Sequence, residues 1–217
     1  MAADATSLKL VECFLSLQGE SRSVGLPTVF VRLSGCPLRC RYCDTEWAFR
    51  GGETMTIDAL LEQVSAFGVA RVCVTGGEPL AQRGAPELLS RLCDLGYEVS
   101  LETGGMLDIG AVDRRVSRVV DLKTPGSGEV EANRWENLAL IGSNDQLKWV
   151  ICDRNDYEWA RNVVQTRDLT GRCELLFSPA WGQCDARDLA EWILEDRLDV
   201  RLQLQLHKLL WGEERGR

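Results

Sequence analysis

Apolar residues recur along this chain in two alternating rhythms. Leu8 to Leu15, with Val11, Cys13 and Leu15, reads as a first strand that ends at Gln18-Gly19-Glu20. Pro27 to Leu33 (PTVFVRL) is a nearly continuous β-branched and aromatic run, the pattern of a strand buried on both faces. From Thr56 the period changes: Ile57, Leu60, Leu61, Val64 and Phe67 recur at helical spacing, and Gly68 stands where the helix stops. Val69–Thr75 is then a strand, Pro86 opens a helix lined by Leu88, Leu89 and Leu92 that Gly96 closes, and Tyr97–Glu102 is a strand. The alternation continues through a short helix or loop near Ile109–Val116 and strands at Arg118–Leu122 and Gln146–Ile151. A helix follows from a capping-box-like Asn155/Glu158 pair to about Gln165, then a strand at Glu174–Phe177, a helix at Asp185–Leu198 and a last strand at Val200–Leu206.

Strands that alternate with helices predict βαβ units and a mostly parallel sheet in an α/β fold. Ligands bind at the carboxyl ends of such strands. The unusual residues stand there: Gln18–Glu20, a cysteine-rich loop after Leu33, Gly76–Glu78, Thr103, Lys123 and Ser178. The pattern therefore predicts one site.

Composition narrows the class. With 217 residues, 45% hydrophobic and 27% charged, the chain has the size of one domain, residues 1–217, with a substantial core. A net charge of −8 argues against a broad grip on nucleic acid and favours a small-molecule substrate. Nothing at Met1–Lys9 resembles a signal peptide, and no apolar run approaches the roughly 20 residues of a membrane span, so a cytoplasmic protein is expected. Nine cysteines in that setting disfavour a disulfide framework, and Cys13, Cys73, Cys93, Cys152, Cys173 and Cys184 read as small core hydrophobes.

The other three cysteines are different. Cys36, Cys40 and Cys43 are spaced C-x3-C-x2-C in one turn-rich loop, with Tyr42 before the last. A structural zinc site wants four protein ligands, and a cubane cluster has four metal corners, so three local thiols suggest a cluster with one iron left open. Taken alone, the triplet also fits a zinc clip or three unrelated buried thiols. Thr75-Gly76-Gly77-Glu78-Pro79 is the second signal, because adjacent glycines at a strand end admit positive φ and close approach of a ligand; a tight turn explains them equally well.

Together, the C-x3-C-x-Y-C loop and the GGEP segment resemble the radical S-adenosylmethionine (SAM) superfamily. The resemblance implies a [4Fe-4S] cluster on Cys36, Cys40 and Cys43 whose open iron takes SAM, with Tyr42, Cys43, Asp44, Gly76, Gly77, Glu78, Thr103, Lys123 and, more weakly, Ser178 around it. Gln18-Gly19-Glu20, Arg32, Cys43-Asp44-Thr45, Glu102-Thr103-Gly104, Asp121-Leu122-Lys123 and Gln205-Leu206-His207-Lys208 are similar, over essentially the whole chain, to the 7-carboxy-7-deazaguanine synthase family. That family uses an abbreviated, partial (β/α) barrel, is typically homodimeric, and takes its electron from a donor such as flavodoxin or ferredoxin. It converts 6-carboxy-5,6,7,8-tetrahydropterin to 7-carboxy-7-deazaguanine with loss of ammonia, using SAM catalytically, on the way to queuosine. Ser21 departs from the glycine many members carry there, which loosens the expected turn.

The resemblance further implies a substrate pocket of Leu17, Gln18, Gly19, Glu20, Arg32, Thr75 and, more weakly, His207, and a Mg2+ held by Thr45 with weaker help from Asp44. Physically, a pterin edge of amide and amine groups suits Gln18, Glu20 and the backbone of Leu17–Gly19, and a carboxylate suits the guanidinium of Arg32. By sequence alone Thr45 is a loop threonine suited to a turn hydrogen bond; its Mg2+ role is what the resemblance implies, and a hard Mg2+ does take oxygen ligands. Two other functions share part of these features: a glycyl-radical-enzyme activase, which has the same two motifs, and a non-catalytic zinc-binding module.

Overall fold

The computed structural model describes residues 6–217, so the expectation about Met1–Lys9 lies in part outside the described residues. Among the described residues, nine strands form one sheet in the order β3-β1-β2-β4-β5-β6-β7-β8-β9. These are β1 (Ser7–Leu17), β2 (Pro27–Leu33), β3 (Glu53–Thr56), β4 (Arg71–Gly76), β5 (Glu98–Thr103), β6 (Ser117–Asp121), β7 (Gln146–Ile151), β8 (Glu174–Pro179) and β9 (Arg201–Leu202). From β2 across to β9 every neighbouring pair is parallel, while β1 runs antiparallel to both β2 and β3. The result is a partial barrel with a mostly parallel sheet.

The helices are α1 (Ile57–Ser65), α2 (Ala85–Asp94), α3 (Arg154–Thr166), α4 (Ala186–Asp196) and α5 (Leu206–Trp211). The apolar stripes of α1 to α4 cover one face of the sheet. Val29, Val31 and Leu33 of β2, Val72 and Val74 of β4 and Val99 and Leu101 of β5 pack with Ile57, Leu60 and Val64 of α1 and Leu88, Leu89 and Leu92 of α2. Leu147, Trp149 and Ile151 of β7 and Leu175 and Phe177 of β8 pack with Tyr157, Ala160 and Val164 of α3 and Leu189 of α4. Because side chains alternate along a strand, the residues between these point to the other face. There the sequence is polar: Arg32, Thr75, Glu102, Asp121, Lys148 and Ser178 line a central cavity. β2 is buried on both faces as expected, and Arg32, half-buried, is its polar contribution to that cavity.

The β5–β6 connection takes the loop alternative expected near 109–116, sealed by Ile109, Val112 and Val116. Other expectations are corrected. The cap of α3 is Asp153, whose side chain accepts from the Asp156 N–H at 3.0 Å; Asn155 lies inside the first turn. The last strand is only Arg201–Leu202, and Leu206 already begins α5. Gln18–Glu20 follows a strand, but an antiparallel one: Leu17 pairs with Pro27 at the start of β2, so this segment approaches the cavity from the rim opposite the cysteine loop. Ser21 does not loosen its turn. It takes the left-handed conformation, φ +63°, that glycine would take, at a cost of roughly 1–2 kcal/mol.

All nine cysteines are free thiols; Cys73 is buried, and Cys13 and Cys93 pack against the core. Among the described residues, no helix is long and apolar enough to cross a membrane.

Candidate active site

The loop after β2 is tied down on two sides. Gly35 N–H donates to Ala48 O at 2.8 Å and Arg41 N–H to Ser127 O at 2.9 Å, while the Arg39 guanidinium caps Cys36 O at 2.7 Å. Leu38 anchors the loop as a buried apolar side chain. The GGEP turn interlocks with it: Gly77 N–H donates to Leu33 O at 3.1 Å and Glu78 N–H to Gly35 O at 2.7 Å. No side chain fits between them. A Cβ on Gly76, which has φ +142°, would lie 2.1 Å from Leu33 O, and one on Gly77 would lie 2.4 Å from Gly35 O.

Cys36, Cys40 and Cys43 are half-buried and face the cavity from this loop. Burial pushes the Cys36 thiol up and the Cys40 thiol up to about 11, so in isolation they resist ionisation and a cation is needed to hold them as thiolates. Among the described residues, no three His, Cys, Asp or Glu side chains converge tightly enough to hold a single metal ion. A cubane distributes its thiolates over separate irons, whereas a zinc clip needs them at one point. The donor set therefore suits a cluster.

Beside the cysteines, Glu78 is held rigidly. Its carboxylate accepts from Leu80 N–H at 3.0 Å, Gly104 N–H at 2.8 Å and the Thr103 hydroxyl at 2.9 Å. Burial pushes this carboxyl up while those bonds pull it down, leaving it above the usual range. Thr103 does not itself line the cavity; it stands behind Glu78 and orients it. Lys123 pairs with Asp121 at 3.0 Å and lies 5.7 Å from the centre of the Tyr42 ring. Among the described residues, the Tyr42 hydroxyl and Asp121 Oδ1 are buried without a hydrogen-bond partner.

Deeper in the cavity, neighbouring strands set polar groups side by side. Arg32 Nε donates to Glu12 at 2.6 Å, and the Thr75 hydroxyl donates to Glu102 at 3.0 Å. Lys148 pairs with Glu20. Burial opposes ionisation of Glu20, but the Lys148 charge and hydrogen bonds from Lys148 and Gln205 outweigh it and hold the carboxyl low. Glu102 goes the other way, raised by burial and then by the Glu20 charge. Gln18 is buried, and among the described residues its amide nitrogen has no polar partner beyond the adjacent Cys73 thiol.

The segment after β9 closes the side of the site. Leu206 N–H donates to Gly19 O at 2.9 Å, and the His207 ring fills the space a Gly19 side chain would need. Gln205 Nε2 bridges Glu20 at 2.9 Å and Asp44 at 3.1 Å, and Lys208 reaches Asp44 at 2.7 Å. Burial keeps His207 below its ordinary value, in the neutral form. The Thr45 hydroxyl lies 3.4 Å from Asp44 Oδ1 and 3.9 Å from Cys43 Sγ.

One cavity of about 930 Å³ is thus lined by Leu17, Gln18, Gly19, Glu20, Arg32, the three cysteines, Tyr42, Asp44, Thr45, Thr75, Gly76, Gly77, Glu78, Lys123, Ser178 and His207. Every residue expected at the site is there except Thr103. It also contains Glu12, Glu102, Lys148, Gln205 and Lys208, which sequence reasoning did not single out as site residues. A signal existed for two of them: Lys148 interrupts the run Gln146–Ile151 and Glu102 the run Glu98–Thr103, and a charge inside a buried strand needs a partner.

Comparison with known proteins agrees with this geometry. Residues 30–166 match the Radical SAM superfamily. The chain is 46% identical over 210 residues to the 7-carboxy-7-deazaguanine synthase of Chlorobaculum tepidum, an alignment covering 95% of this chain and 96% of the relative. It is 41% identical over 222 residues to that of Koribacter versatilis, covering 95% and 98%. Among solved structures, QueE from Escherichia coli shares the fold with a TM-score of 0.74 at 21% identity, over 92% of this chain and 94% of that one. The chain belongs to the 7-carboxy-7-deazaguanine synthase family of the radical SAM superfamily.

Proposed function

We propose that this chain is a radical SAM carbon–nitrogen lyase that converts 6-carboxy-5,6,7,8-tetrahydropterin to 7-carboxy-7-deazaguanine with release of ammonia, in queuosine and 7-deazapurine biosynthesis. The observation that carries the reading is that the three loop cysteines and the polar group Gln18, Glu20 and Arg32 line the same cavity. Cys36, Cys40 and Cys43 would hold a [4Fe-4S] cluster, and Thr45 with Asp44 offers hard oxygen donors to Mg2+. When bound, the cluster and SAM would supply 5'-deoxyadenosyl radical chemistry for reversible hydrogen abstraction at substrate C6.

The chain's own residues bind and orient. Glu78, fixed by Thr103, Leu80 and Gly104, presents a carboxylate for the SAM amino group, between Lys123 and the Gly76–Gly77 backbone. Glu20, kept ionised by Lys148, accepts N–H groups of the pterin edge. The buried amide nitrogen of Gln18, which has only the Cys73 thiol beside it among the described residues, offers a donor. The free end of the Arg32 guanidinium takes the substrate carboxylate. His207, neutral and packed on Gly19, closes the wall and excludes water.

In this reading residues 1–217 act as a single radical SAM domain, as a cytoplasmic homodimer supplied with electrons by flavodoxin or ferredoxin. The Arg32, Gln18 and Glu20 group favours a small anionic substrate over the protein substrate of an activase. Anaerobic incubation of the reconstituted protein with SAM, reductant and the carboxypterin tests this: an activase leaves the pterin unchanged, and a zinc module stays colourless.

A further inference from the structure

We infer that Glu12 is a positioning residue for Arg32, set on the cavity side by an irregularity in β1, so that the outer fork of the guanidinium is aimed at the substrate carboxylate. The inference rests on the assignment of Arg32 to that carboxylate made above. Leu8 and Leu10 of β1 pack into the core with α1 and α2, and strict alternation would send Glu12 the same way. A carboxylate there would be buried without a partner. The register shifts at this point: Leu10 is opposite Leu33, yet Glu12 is opposite Arg32, so two residues of β1 pass for one of β2. Such a bulge moves the following side chains to the other face. Cys13 then packs on the core side, while Glu12 and Phe14 line the cavity.

What Glu12 does there follows from the atoms. Its Oε1 accepts from Arg32 Nε at 2.6 Å, with the two side chains 23% and 15% exposed. Among the described residues, the two terminal nitrogens of Arg32 make no hydrogen bond to protein. The neighbouring Thr75, opposite Arg32 on β4, spends its hydroxyl on Glu102 and does not compete. Two positions along, Phe14 and Phe30 form a cross-strand pair, stack at 5.2 Å and also line the cavity. One end of the guanidinium is therefore fixed by Glu12 and the planar fork at the other end is free, the geometry that takes a second carboxylate with two parallel hydrogen bonds.

The test uses the reconstituted enzyme with SAM and measures equilibrium binding of 6-carboxypterin and of pterin lacking the carboxylate, together with KM and kcat for the reduced substrate. Arg32→Ala must abolish the preference for the carboxylated ligand; if it does not, the assignment of Arg32 itself falls. Given that loss, Glu12→Ala is expected to reduce the preference by about tenfold, the size of one charge-assisted hydrogen bond, through KM rather than kcat. Glu12→Gln, which keeps an acceptor for Nε, restores the preference to within about twofold of the native enzyme. If Glu12→Ala fails to fold, Glu12→Asp, too short to reach Nε, takes its place. An unchanged preference in Glu12→Ala, equal weakening of both ligands, or failure of Glu12→Gln to rescue each overturns the inference.

Discussion

The ammonium of Lys208 lies 2.7 Å from the carboxylate of Asp44, which ties the last helix, α5, to the loop that carries the cysteines. Burial opposes ionisation of Asp44, but Lys208 and then Gln205 overcome it and hold the carboxyl below its ordinary value. A depressed carboxyl contributes stability above the unfolded-state value and loses it as pH falls through the folded-state value. Lys208→Met is therefore expected to lower the Tm at pH 7, and the gap to the native enzyme should close as the pH is taken below the ordinary carboxylate range. Thermal melts across pH check this, and a gap that persists in acid contradicts it.

Glu20 and Lys148 form a buried ion pair in the cavity, 13% and 14% exposed. Removing one member leaves the other charge without its main partner, a loss of about 3 kcal/mol, whereas removing both costs less. Denaturant unfolding of Glu20→Gln, Lys148→Met and the double variant should show the double variant more stable than Glu20→Gln alone. The advantage of the native pair should fade as pH falls through the depressed Glu20 value, and also as pH rises through the raised Lys148 value.

Gly77 is a position where one methyl group decides the loop. Its Cβ would sit 2.4 Å from Gly35 O and 2.8 Å from Cys36 Cβ, whereas a Cβ on Gly142 meets nothing within 4 Å. Gly77→Ala should bind far less iron on reconstitution while Gly142→Ala loads normally. Iron and sulfide analysis after desalting reads the difference.

Thr45 is half-buried in the cavity wall, and its hydroxyl makes only long contacts, 3.4 Å to Asp44 Oδ1 and 3.9 Å to Cys43 Sγ. Thr45→Ala should shift the magnesium dependence of activity upward by about tenfold, with little change in stability. Unchanged activity and an unchanged magnesium titration would sink the assignment.

Much of this fold was legible in the sequence because most elements are defined by what lies next to them. Strands β2 and β7 match their apolar runs residue for residue. Local pattern failed where a distant edge decides. Leu202, Leu204 and Leu206 alternate like a strand, but pairing with β8 stops at Leu202, and the chain then turns to meet Gly19. The short strand β3 exists because it finds the free edge of β1. The site divides in the same way. The cysteines and the GGEP turn are compact motifs, so their residues announced themselves. Lys148 and Glu20 lie 128 positions apart and Gln205 and Asp44 lie 161 apart, so their partnership belongs to the folded chain alone. The direction of β1, which brings Gln18–Glu20 in from the opposite rim, depends on pairing that periodicity does not encode.

The central claim is that one cavity brings a radical-generating cofactor pair to a carboxypterin. Its most direct test is anaerobic turnover of the reconstituted enzyme with SAM, reductant, Mg2+ and 6-carboxy-5,6,7,8-tetrahydropterin, following product by mass and SAM by quantitation. The account predicts 7-carboxy-7-deazaguanine, lighter than the substrate by one ammonia, formed in excess over any SAM consumed. A pterin left intact by an enzyme that carries its cluster and cleaves SAM would contradict it.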